Sequence, residues 1–441
     1  MNYKGDQEEA YKFIRQTLFN NNLRPPHTAA LKGYAGTGKT TLTAEICSYA
    51  ANKGYYLFLC APTHQAKEVM VNNLLDKTSL ILGKRVSAGT IHSMLGLALE
   101  KDKENGGYYL AARNAGRIPD HYKVLIVLDE GSMVNEQVGK HIWEAVNKHS
   151  SRVRWLFIGD PAQLPPPNGK QSTILTAPAS FTMKKIIRQG NKNPIIEASR
   201  RIRNGASLLS CDNFKNGVGI GSTTSRQDII ENVDKQLNRE DYATNPYICR
   251  VLAATNKEVQ RWNKDIKNYL WPHSEEWEVD FWGIAQSTWF RDNRNSEYPK
   301  PVIYSSELFK VLNAKEIIHD VSGFAGEAWQ LQIEKQDESK ETLITLKEET
   351  KKYYEQELQD RLRIAQTEGG KKWTKYYDLK EGFCDVRYNF ASTVHKSQGS
   401  TFENVYIDFN DIASFPGGRD LTQRLQYVAV TRASKRVGFL K

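Results

Sequence analysis

The chain has 441 residues, of which 39% are hydrophobic and 25% charged, an ordinary composition for a globular protein of roughly two to four domains. Lys and Arg outnumber Asp and Glu by 61 to 51, which favours a polyanionic partner such as nucleic acid. The chain lacks a run of about 18 apolar residues, an apolar leader and any C-x-x-C pair, so we expect a cytoplasmic protein without membrane spans, zinc ribbons or a disulfide framework.

Short apolar runs punctuate the first half of the chain. They are nearly continuous rather than alternating, which is typical of strands in a parallel sheet covered on both faces. The runs are Ala29-Ala30-Leu31, Tyr55 to Cys60, Val124 to Leu128 and Val153 to Ile158. Helical patterns separate them, and strands that alternate with helices predict a doubly wound α/β sheet.

A second series of such runs follows later in the chain. It comprises Tyr247 to Ala254, Ser392-Thr393-Val394, Val405 to Ile407 and Val437 to Leu440. We interpret this series as a second α/β domain, interrupted by an insertion. The insertion has strand-like runs at Val302-Ile303-Tyr304 and Trp329 to Ile333, then a charged helix with an apolar stripe from about Leu346 to Gln366.

A phosphate-binding loop follows the first predicted strand. Gly33-Tyr34-Ala35-Gly36-Thr37-Gly38-Lys39-Thr40 matches G-x-x-x-x-G-K-[ST] at every fixed position and opens a predicted helix. Its glycines let backbone N–H groups approach phosphates, and the helix N-terminus adds positive potential. We therefore predict that Lys39 reaches the β- and γ-phosphates of ATP and that Thr40 ligates Mg²⁺. The predicted nucleotide contacts here are Gly33, Gly36, Gly38, Lys39, Thr40 and Thr41.

Two carboxylates follow the predicted strand Val124 to Leu128. Asp129, at the carboxyl end of the strand, can hold the Mg²⁺ shell, and Glu130 can polarise the attacking water. The next strand ends in Gly159-Asp160 and a proline-stiffened loop that carries Gln163. A glutamine at that position can hydrogen-bond a γ-phosphate or the attacking water.

Further segments decide what the phosphate-binding loop is attached to, because the loop alone indicates only an NTPase. In chain order they are Asp6 to Ala10, Ala61 to Ala66, Gly89 to Ser93, Asp129 to Met133, Gly159 to Leu164, Ile187 to Gln189, Ala253 to Lys257, Ser392 to Gly399 and Tyr427 to Ala433. In order and spacing the series resembles superfamily 1 helicases over nearly the whole chain. It is most similar to the branch that moves 5′ to 3′ on DNA, and within it to the compact Dda-type helicases of bacteriophages.

The resemblance implies two RecA-like doubly wound parallel-sheet domains, with an inserted β-hairpin pin and an inserted β-barrel plus helical tower. The expected first domain comprises residues 1–96 and 123–185, and the pin residues 97–122. The expected second domain comprises residues 186–268 and 388–441, and the barrel and tower residues 269–387.

The same resemblance assigns roles in ATP hydrolysis. It implies that Gln7 reads adenine and that Gln163 senses the γ-phosphate and couples it to the DNA path. It implies that Arg188 and Arg432 are arginine fingers from the second domain, which suits the charge that grows on the γ-phosphoryl oxygens. Either arginine could instead form a surface ion pair. Gln7 joins the predicted nucleotide contacts. The predicted catalytic set is Lys39, Glu130, Gln163, Arg188 and Arg432.

The resemblance also implies contacts to the backbone of single-stranded DNA, since hydroxyl, amide and imidazole donors suit phosphates without reading bases. The implied contacts are Thr63, His64, Thr90, His92, Thr255, Asn256, Thr393 and His395. A histidine near a strand end is more often a local hydrogen-bonding residue, and we favour His64 and His395 over His92.

Aromatic residues mark both insertions. Asn105-Gly106-Gly107 predicts a hairpin turn at the position of the family's strand-separation pin, with Tyr108 and Tyr109 as the residues that would stack on the last base pair. A plain solvent-exposed hairpin is the alternative. The tryptophans from Trp262 to Trp289 could form a base-stacking platform, but large aromatics more often form the core of a small barrel, which we favour.

The resemblance thus implies a monomeric ATP-dependent DNA helicase that uses ATP and Mg²⁺ on single-stranded DNA and duplex junctions, in the host cytoplasm if of phage origin. A single-strand-binding protein or replisome components are further candidate partners, in replication, recombination or repair. The motifs leave open an RNA helicase or protein-displacing translocase of the same superfamily. An ATP-gated nucleic-acid-binding module without unwinding would show a damaged carboxylate pair or a missing arginine, and the sequence shows neither.

Overall fold

The structure, a computed structural model, describes residues 3–101, 108–112, 118–166, 169–187, 193–215, 218–274, 277–290 and 301–441. The N-terminal strands are β1 (His27–Gly33), β2 (Tyr56–Ala61), β3 (Val86–Thr90), β4 (Leu97–Lys101), β5 (Tyr108–Ala112), β6 (Val124–Leu128), β7 (Val153–Gly159) and β8 (Ala179–Met183). The helices between them are α1 (Gln7–Phe19), α2 (Lys39–Asn52), α3 (His64–Leu75), α4 (Ile91–Leu95) and α5 (Glu136–Lys148).

The first sheet is parallel throughout, in the order β3-β2-β6-β7-β1-β8. Alternate residues of its strands belong to different cores. Leu125 and Val127 pack towards α1, α2 and α3, whereas Val124, Ile126 and Leu128 pack towards α4 and α5. Burial of both faces explains why these strands are continuously apolar.

The hairpin β4–β5 leaves this domain between α4 and β6. Its strands pair antiparallel, with Glu100 opposite Tyr109 and Lys101 opposite Tyr108. Tyr109 is 48% exposed, and its hydroxyl donates to Glu100 Oε2 at 3.0 Å. The predicted turn Asn105-Gly106-Gly107 lies outside the described residues, and so does the side chain of Tyr108. The pin therefore stays a prediction.

The second domain begins with α6 (Pro194–Arg203), β9 (Asn213–Lys215), β10 (Val218–Thr223), α7 (Arg226–Leu237), β11 (Cys249–Ala253) and α8 (Asn256–Leu270). The insertion follows as β12 (Trp282–Ala285), β13 (Trp289–Phe290), β14 (Pro301–Ile303), β15 (Leu308–Val321), β16 (Phe324–Lys335), β17 (Lys340–Leu346), α9 (Glu348–Glu368), α10 (Lys371–Gly382) and β18 (Val386–Tyr388). The chain then returns to the second domain with β19 (Ala391–Thr393), β20 (Phe402–Asp408), α11 (Phe409–Ala413), α12 (Gly418–Thr431) and β21 (Ala433–Leu440).

The second sheet has the order β19-β11-β20-β21-β10-β9 and is parallel except for β9 at its edge. One face packs Leu252, Ile407 and Phe439 against α6, α11 and α12. The opposite face packs against α7 and α8 and shares one continuous core with the insertion. Two doubly wound sheets are therefore present, as the sequence predicts.

The insertion is an antiparallel sheet in the order β17-β16-β15-β12-β18. The N–H of Cys384, just before β18, donates to the carbonyl of Ile344 in β17 at 2.7 Å, so the two edges of the sheet approach each other. Within the described part of the chain the edge strands form no ladder, and a closed barrel remains a prediction. The apolar stripe predicted on α9 packs Leu358, Leu362 and Ala365 against the aromatic residues of α10.

The tryptophans just before and near the start of the insertion are core residues. Trp262, Trp277, Trp282 and Trp289 are each at most 7% exposed and lie in the core that joins the insertion to the second sheet, while Trp271 packs against it. This arrangement bears out the core interpretation over an exposed stacking platform. Within the described ranges, no helix is both long and apolar enough to span a bilayer.

Candidate nucleotide site and nucleic-acid contacts

The phosphate-binding loop joins β1 to α2, with Gly36 and Gly38 at φ of 80° and 87°, where glycine has no steric cost. Lys39 Nζ turns back onto its own loop and donates to the carbonyls of Gly33 at 2.6 Å and Tyr34 at 3.1 Å. Thr40 and Thr41 open the first turn of α2 beside it, with Thr40 exposed. The ammonium of Lys39 therefore lies within the loop, where the oxygens of a bound phosphate would replace those carbonyls as its hydrogen-bond acceptors.

Gln7 lies against the same loop. Its Nε2 donates to Gly38 O at 3.3 Å, and its Oε1 accepts from the N–H of Lys4 at 3.0 Å. A Cβ on Gly38 would come within 2.6 Å of both Gln7 Nε2 and Ile187 Cδ1, and the residue would have to adopt φ 87°, so a side chain there would be strained and would displace both groups. The N–H of Ile187 also donates to Gly36 O at 2.9 Å, which brings the segment just after the first domain onto the loop. Arg188, the next residue, lies outside the described residues, and its predicted role stays a prediction.

Asp129 and Glu130 follow β6 at the carboxyl edge of the sheet. Asp129 Oδ1 accepts the N–H of Glu130 at 2.8 Å, and Glu130 adopts the left-handed conformation at φ 51°, which is strained for a residue with a side chain. Burial raises the pKa of Asp129. Burial and the adjacent Asp129 raise the pKa of Glu130 to about 7, against the opposing effect of Arg432 and Lys39.

This pair fits a divalent cation. Two buried carboxyl groups with raised pKa values would be stabilised by a nearby positive ion, and carboxylate and hydroxyl oxygens are ligands that Mg²⁺ prefers. Asp129 and Thr40 are the residues that would hold the ion. When bound, the ion would polarise phosphate oxygens and orient the nucleotide.

Arg432 is the first residue after α12, at the domain cleft. Its guanidinium is 6% exposed and donates to the carbonyls of Val428 at 3.2 Å and Ser400 at 3.1 Å. These acceptors lie in the second domain, so the side chain is held in place before any nucleotide binds. Its positive charge nevertheless lowers the pKa of Glu130 in the first domain, against the effect of burial.

Gln163 accepts hydrogen bonds from two residues of the second domain. Its side-chain oxygen accepts from Gln398 Nε2 at 3.3 Å, and its carbonyl accepts from Arg424 Nη1 at 2.8 Å. The guanidinium of Arg203 lies 3.6 Å from the ring centroid of Tyr34, a cation–π contact onto the phosphate-binding loop itself. The structure thus brings together Lys39, Glu130, Gln163 and Arg432 around the cleft between the two sheets.

Four of the predicted nucleic-acid contacts share one geometry. Thr63, Thr90, Thr255 and Thr393 each lie at or just beyond the end of a parallel strand. Each hydroxyl oxygen accepts the backbone N–H three residues further on, at 3.2 Å in every case. They therefore cap the helices or turns that follow. Thr255 also donates its proton to Asp411 Oδ1 at 3.0 Å, so its hydroxyl is engaged twice within the chain.

The three predicted histidine contacts are half-buried and uncharged. Burial, with Lys67 and His92 nearby, lowers the pKa of His64 to about 4. Burial also lowers the pKa of His92 and of His395. Neutral imidazoles can donate one hydrogen bond or stack, but they supply no positive charge to a phosphate. Asn256 opens α8 directly after Thr255, on the equivalent edge of the second sheet.

Sequence reasoning missed several residues of the site. Tyr427, Asp160 and Gln398 lie inside the motif segments given above, but nothing in a one-dimensional pattern pairs them across the cleft. Tyr304 of the insertion stacks on His64 with ring centroids 3.6 Å apart. Lys396 Nζ donates to Gln286 Oε1 at 2.7 Å, which ties the insertion to the loop that carries His395.

Comparisons with known proteins agree with this architecture. Residues 15–220 match the family described as AAA domain, and residues 388–440 match the UvrD-like helicase C-terminal domain. The chain is 27% identical over 466 residues to the ATP-dependent DNA helicase dda of Enterobacteria phage T4, covering 97% of this chain and 96% of that protein. It is 32% identical over 204 residues to the ATP-dependent RecD2 DNA helicase of Deinococcus radiodurans, covering 46% of this chain and 24% of that protein.

A solved structure of Bacteroides Pif1 bound to ssDNA superimposes with a TM-score of 0.50 at 15% identity, covering 99% of this chain and 92% of that chain. At this low identity the superposition shows a shared fold and nothing about function. The likeness confirms the predicted class of two RecA-like domains, while the details of the insertions stay open.

Proposed function

We propose, from the premise that this chain is related over nearly its whole length to superfamily 1 helicases, that it is an ATP-dependent DNA helicase. It translocates on single-stranded DNA, 5′ to 3′ by its likeness to the Dda-type branch, and unwinds duplex DNA ahead of it. It hydrolyses ATP with Mg²⁺. Each of the two main sheets belongs to one motor domain, and the domains have the boundaries given above.

One observation supports the motor most directly. Glu130 of the first domain is subject at once to the positive charges of Lys39, from its own domain, and of Arg432, from the other. Catalytic charge is therefore divided across the cleft, so hydrolysis depends on how closely the two domains approach. A hydrolysis site built this way converts nucleotide state into domain position.

The cycle follows from this division. ATP draws Lys39 away from the carbonyls of Gly33 and Tyr34 and onto its β- and γ-phosphates. Closure brings the second domain, with Arg432 and Arg188, onto the same phosphates, and Glu130 orients the attacking water. Hydrolysis and product release reopen the cleft. The β-strand ends of the two domains bind the single-stranded DNA in alternation, which advances the protein along the DNA.

The decisive experiment compares ATP turnover with and without single-stranded DNA in Lys39→Ala. Turnover should fall by about 10²-fold or more because the loop loses the lysine side chain that would bind the phosphates, while binding of single-stranded DNA persists. Lys53→Ala, at the opposite end of the same helix, is the matched control and should keep wild-type turnover. Undiminished turnover in Lys39→Ala would refute the ATP site.

Substrate and polarity are tested separately. Stimulation of ATPase by single-stranded DNA but not by RNA of the same length would support the DNA assignment, and the reverse would favour the RNA helicase. Duplexes with a 5′ or a 3′ single-stranded tail would report polarity, and unwinding of only the 3′-tailed duplex would refute the branch assignment. Stimulated ATPase without unwinding of either duplex would favour the protein-displacing translocase.

A further inference from the structure

Tyr427 reaches across the cleft from the second domain into the first. It lies on α12, its side chain is 2% exposed, and its hydroxyl makes two hydrogen bonds there. It accepts from the N–H of Ala35, in the phosphate-binding loop, at 3.2 Å, and donates to Asp160 Oδ2, after β7, at 2.8 Å. A single hydroxyl thus joins the helix of one domain to two separate loops of the other.

A hydrogen bond within the first domain fixes the orientation of the carboxylate that accepts from this hydroxyl. Asp160 is 1% exposed, and its second oxygen, Oδ1, accepts the N–H of Ala162 at 2.9 Å, which sets the orientation of the carboxylate. Burial and Asp160 raise the pKa of Tyr427, so the phenol keeps the proton that it donates. A buried acceptor and a buried donor that both point at one hydroxyl specify its position closely.

The same helix grips the loop one turn earlier. Arg424 Nη1 donates to the carbonyl of Pro161 at 2.9 Å and to that of Gln163 at 2.8 Å. Arg424 and Tyr427 are three residues apart and share one face of α12. The helix is therefore attached to the first domain at two successive points, one of them the phosphate-binding loop.

Arg432 follows at the end of this helix. It lies five positions after Tyr427, which corresponds to roughly 7 to 8 Å of helix rise. Its guanidinium is bonded back to Val428 O, one residue beyond Tyr427, so it moves with the helix as one unit. Any slip of α12 at Tyr427 would displace Arg432 by about the same amount.

We propose that Tyr427 is a positioning residue that sets the register of α12 on the phosphate-binding loop and so aims Arg432 at the transferring phosphoryl group. This inference rests on the proposed function, because it assigns Tyr427 a role only if Arg432 acts in hydrolysis. The hydroxyl does no chemistry itself, and its contribution passes through the arginine.

The test is a double-mutant cycle on DNA-stimulated ATPase. Tyr427→Phe keeps the ring and removes only the hydroxyl, and we expect kcat to fall about tenfold with the KM for ATP within about twofold, since a small misplacement of a catalytic group costs rate more than binding. In the Arg432→Ala background the same change should lower kcat by less than about twofold, because the residue it aims is gone. A merely structural role would lower kcat by the same factor in both backgrounds.

A second readout does not depend on turnover. The affinity for ADP with aluminium fluoride, which mimics the transferring phosphoryl group, should weaken about tenfold in Tyr427→Phe, whereas the affinity for ADP alone should stay within about twofold. Tyr406→Phe is the matched control, since Tyr406 is in the same domain and its buried hydroxyl has no hydrogen-bond partner within the described part of the chain.

The outcomes separate the two proposals. Wild-type kcat and wild-type affinity for the aluminium fluoride complex in Tyr427→Phe would overturn the positioning role alone. Equal losses in both Arg432 backgrounds would also overturn it. A wild-type chain without DNA-stimulated ATPase would overturn the proposed function, and this inference with it.

Discussion

The imidazole of His64 lies stacked on the phenol ring of Tyr304, with centroids 3.6 Å apart and planes inclined by 23°. His64 begins α3 of the first domain, whereas Tyr304 follows β14 of the insertion. The turn that carries Tyr304 is fixed by its own N–H, which donates to Glu307 Oε2 at 2.8 Å. The stack therefore joins the insertion to a strand end that we expect to contact DNA.

Tyr304→Ala should weaken binding of single-stranded DNA about tenfold, because aromatic rings held face to face at this spacing can also stack on nucleobases. Tyr304→Phe keeps the ring and should bind within about twofold of wild type. Fluorescence anisotropy with a labelled oligonucleotide measures both affinities. Equal affinities in wild type and Tyr304→Ala would show that the stack is only a contact between domains.

His64 should also make stability depend on pH. Its pKa is lowered to about 4 from the ordinary 6.5, so between these values the unfolded chain binds the proton and the folded chain does not. The contribution of neutral His64 is therefore fully present above pH 6.5 and is lost as the pH falls towards 4. In thermal unfolding from pH 7 to 4.5, wild type should lose stability faster than His64→Gln, whose side chain does not titrate. Parallel curves would contradict the lowered pKa, since the other histidines contribute equally to both proteins.

Glu130→Gln should separate activity from stability. Removing the carboxylate that we propose orients the attacking water should lower DNA-stimulated ATPase by about 10²-fold or more. The same change relieves burial of a charge and its repulsion by Asp129, so the unfolding temperature should rise. Glu136→Gln, on the exposed start of α5, is the control and should change neither property appreciably. A lower unfolding temperature in Glu130→Gln would show that the carboxylate is stabilised by its surroundings.

Arg250 in β11 is a buried cation with poor compensation. It is 2% exposed, donates to Pro246 O at 3.2 Å, and its Nε has no hydrogen-bond partner within the described ranges. Burial lowers its pKa to about 10. Arg250→Met fills the same volume without charge and should raise the free energy of unfolding by about 1 kcal/mol.

Urea denaturation of Arg250→Met tests this expectation. Arg239→Met is the contrasting variant, because Arg239 pairs with Asp241 and Glu403 and its loss should destabilise the chain. A destabilised Arg250→Met would mean that the bond to Pro246 and the contact with Phe402 outweigh the cost of burying the guanidinium.

Much of the fold could be predicted because burial on both faces leaves a direct mark on sequence. Every residue from Val124 to Leu128 is buried, and the unbroken apolar run that results predicts a strand. The edge strand β8, Ala179–Met183, escaped prediction because most of its residues face solvent or are partly exposed. β10, Val218–Thr223, escaped because its two glycines carry no apolar side chain that would signal a strand.

The site divides in the same way. The roles of Lys39, Asp129 and Glu130 stay predictions, but the sequence could suggest them because each residue lies in a local pattern whose backbone shape is set by its neighbours. The bridge from Tyr427 to Asp160 and Ala35 could not be predicted, because it exists only once two separate domains are placed against each other. Closure of the insertion also depends on contacts between distant strands, which a local apolar pattern does not encode.

The four capping threonines have a consequence for the spacing of the proposed contacts along single-stranded DNA. Each hydroxyl at the strand ends is fixed by the backbone of the helix or turn that it caps, so none can swing to follow a sliding phosphate. We therefore expect the proposed DNA contacts of each domain to keep a constant spacing. In the proposed cycle, the protein would then advance by moving one domain relative to the other, and the step length would depend on how far the cleft opens.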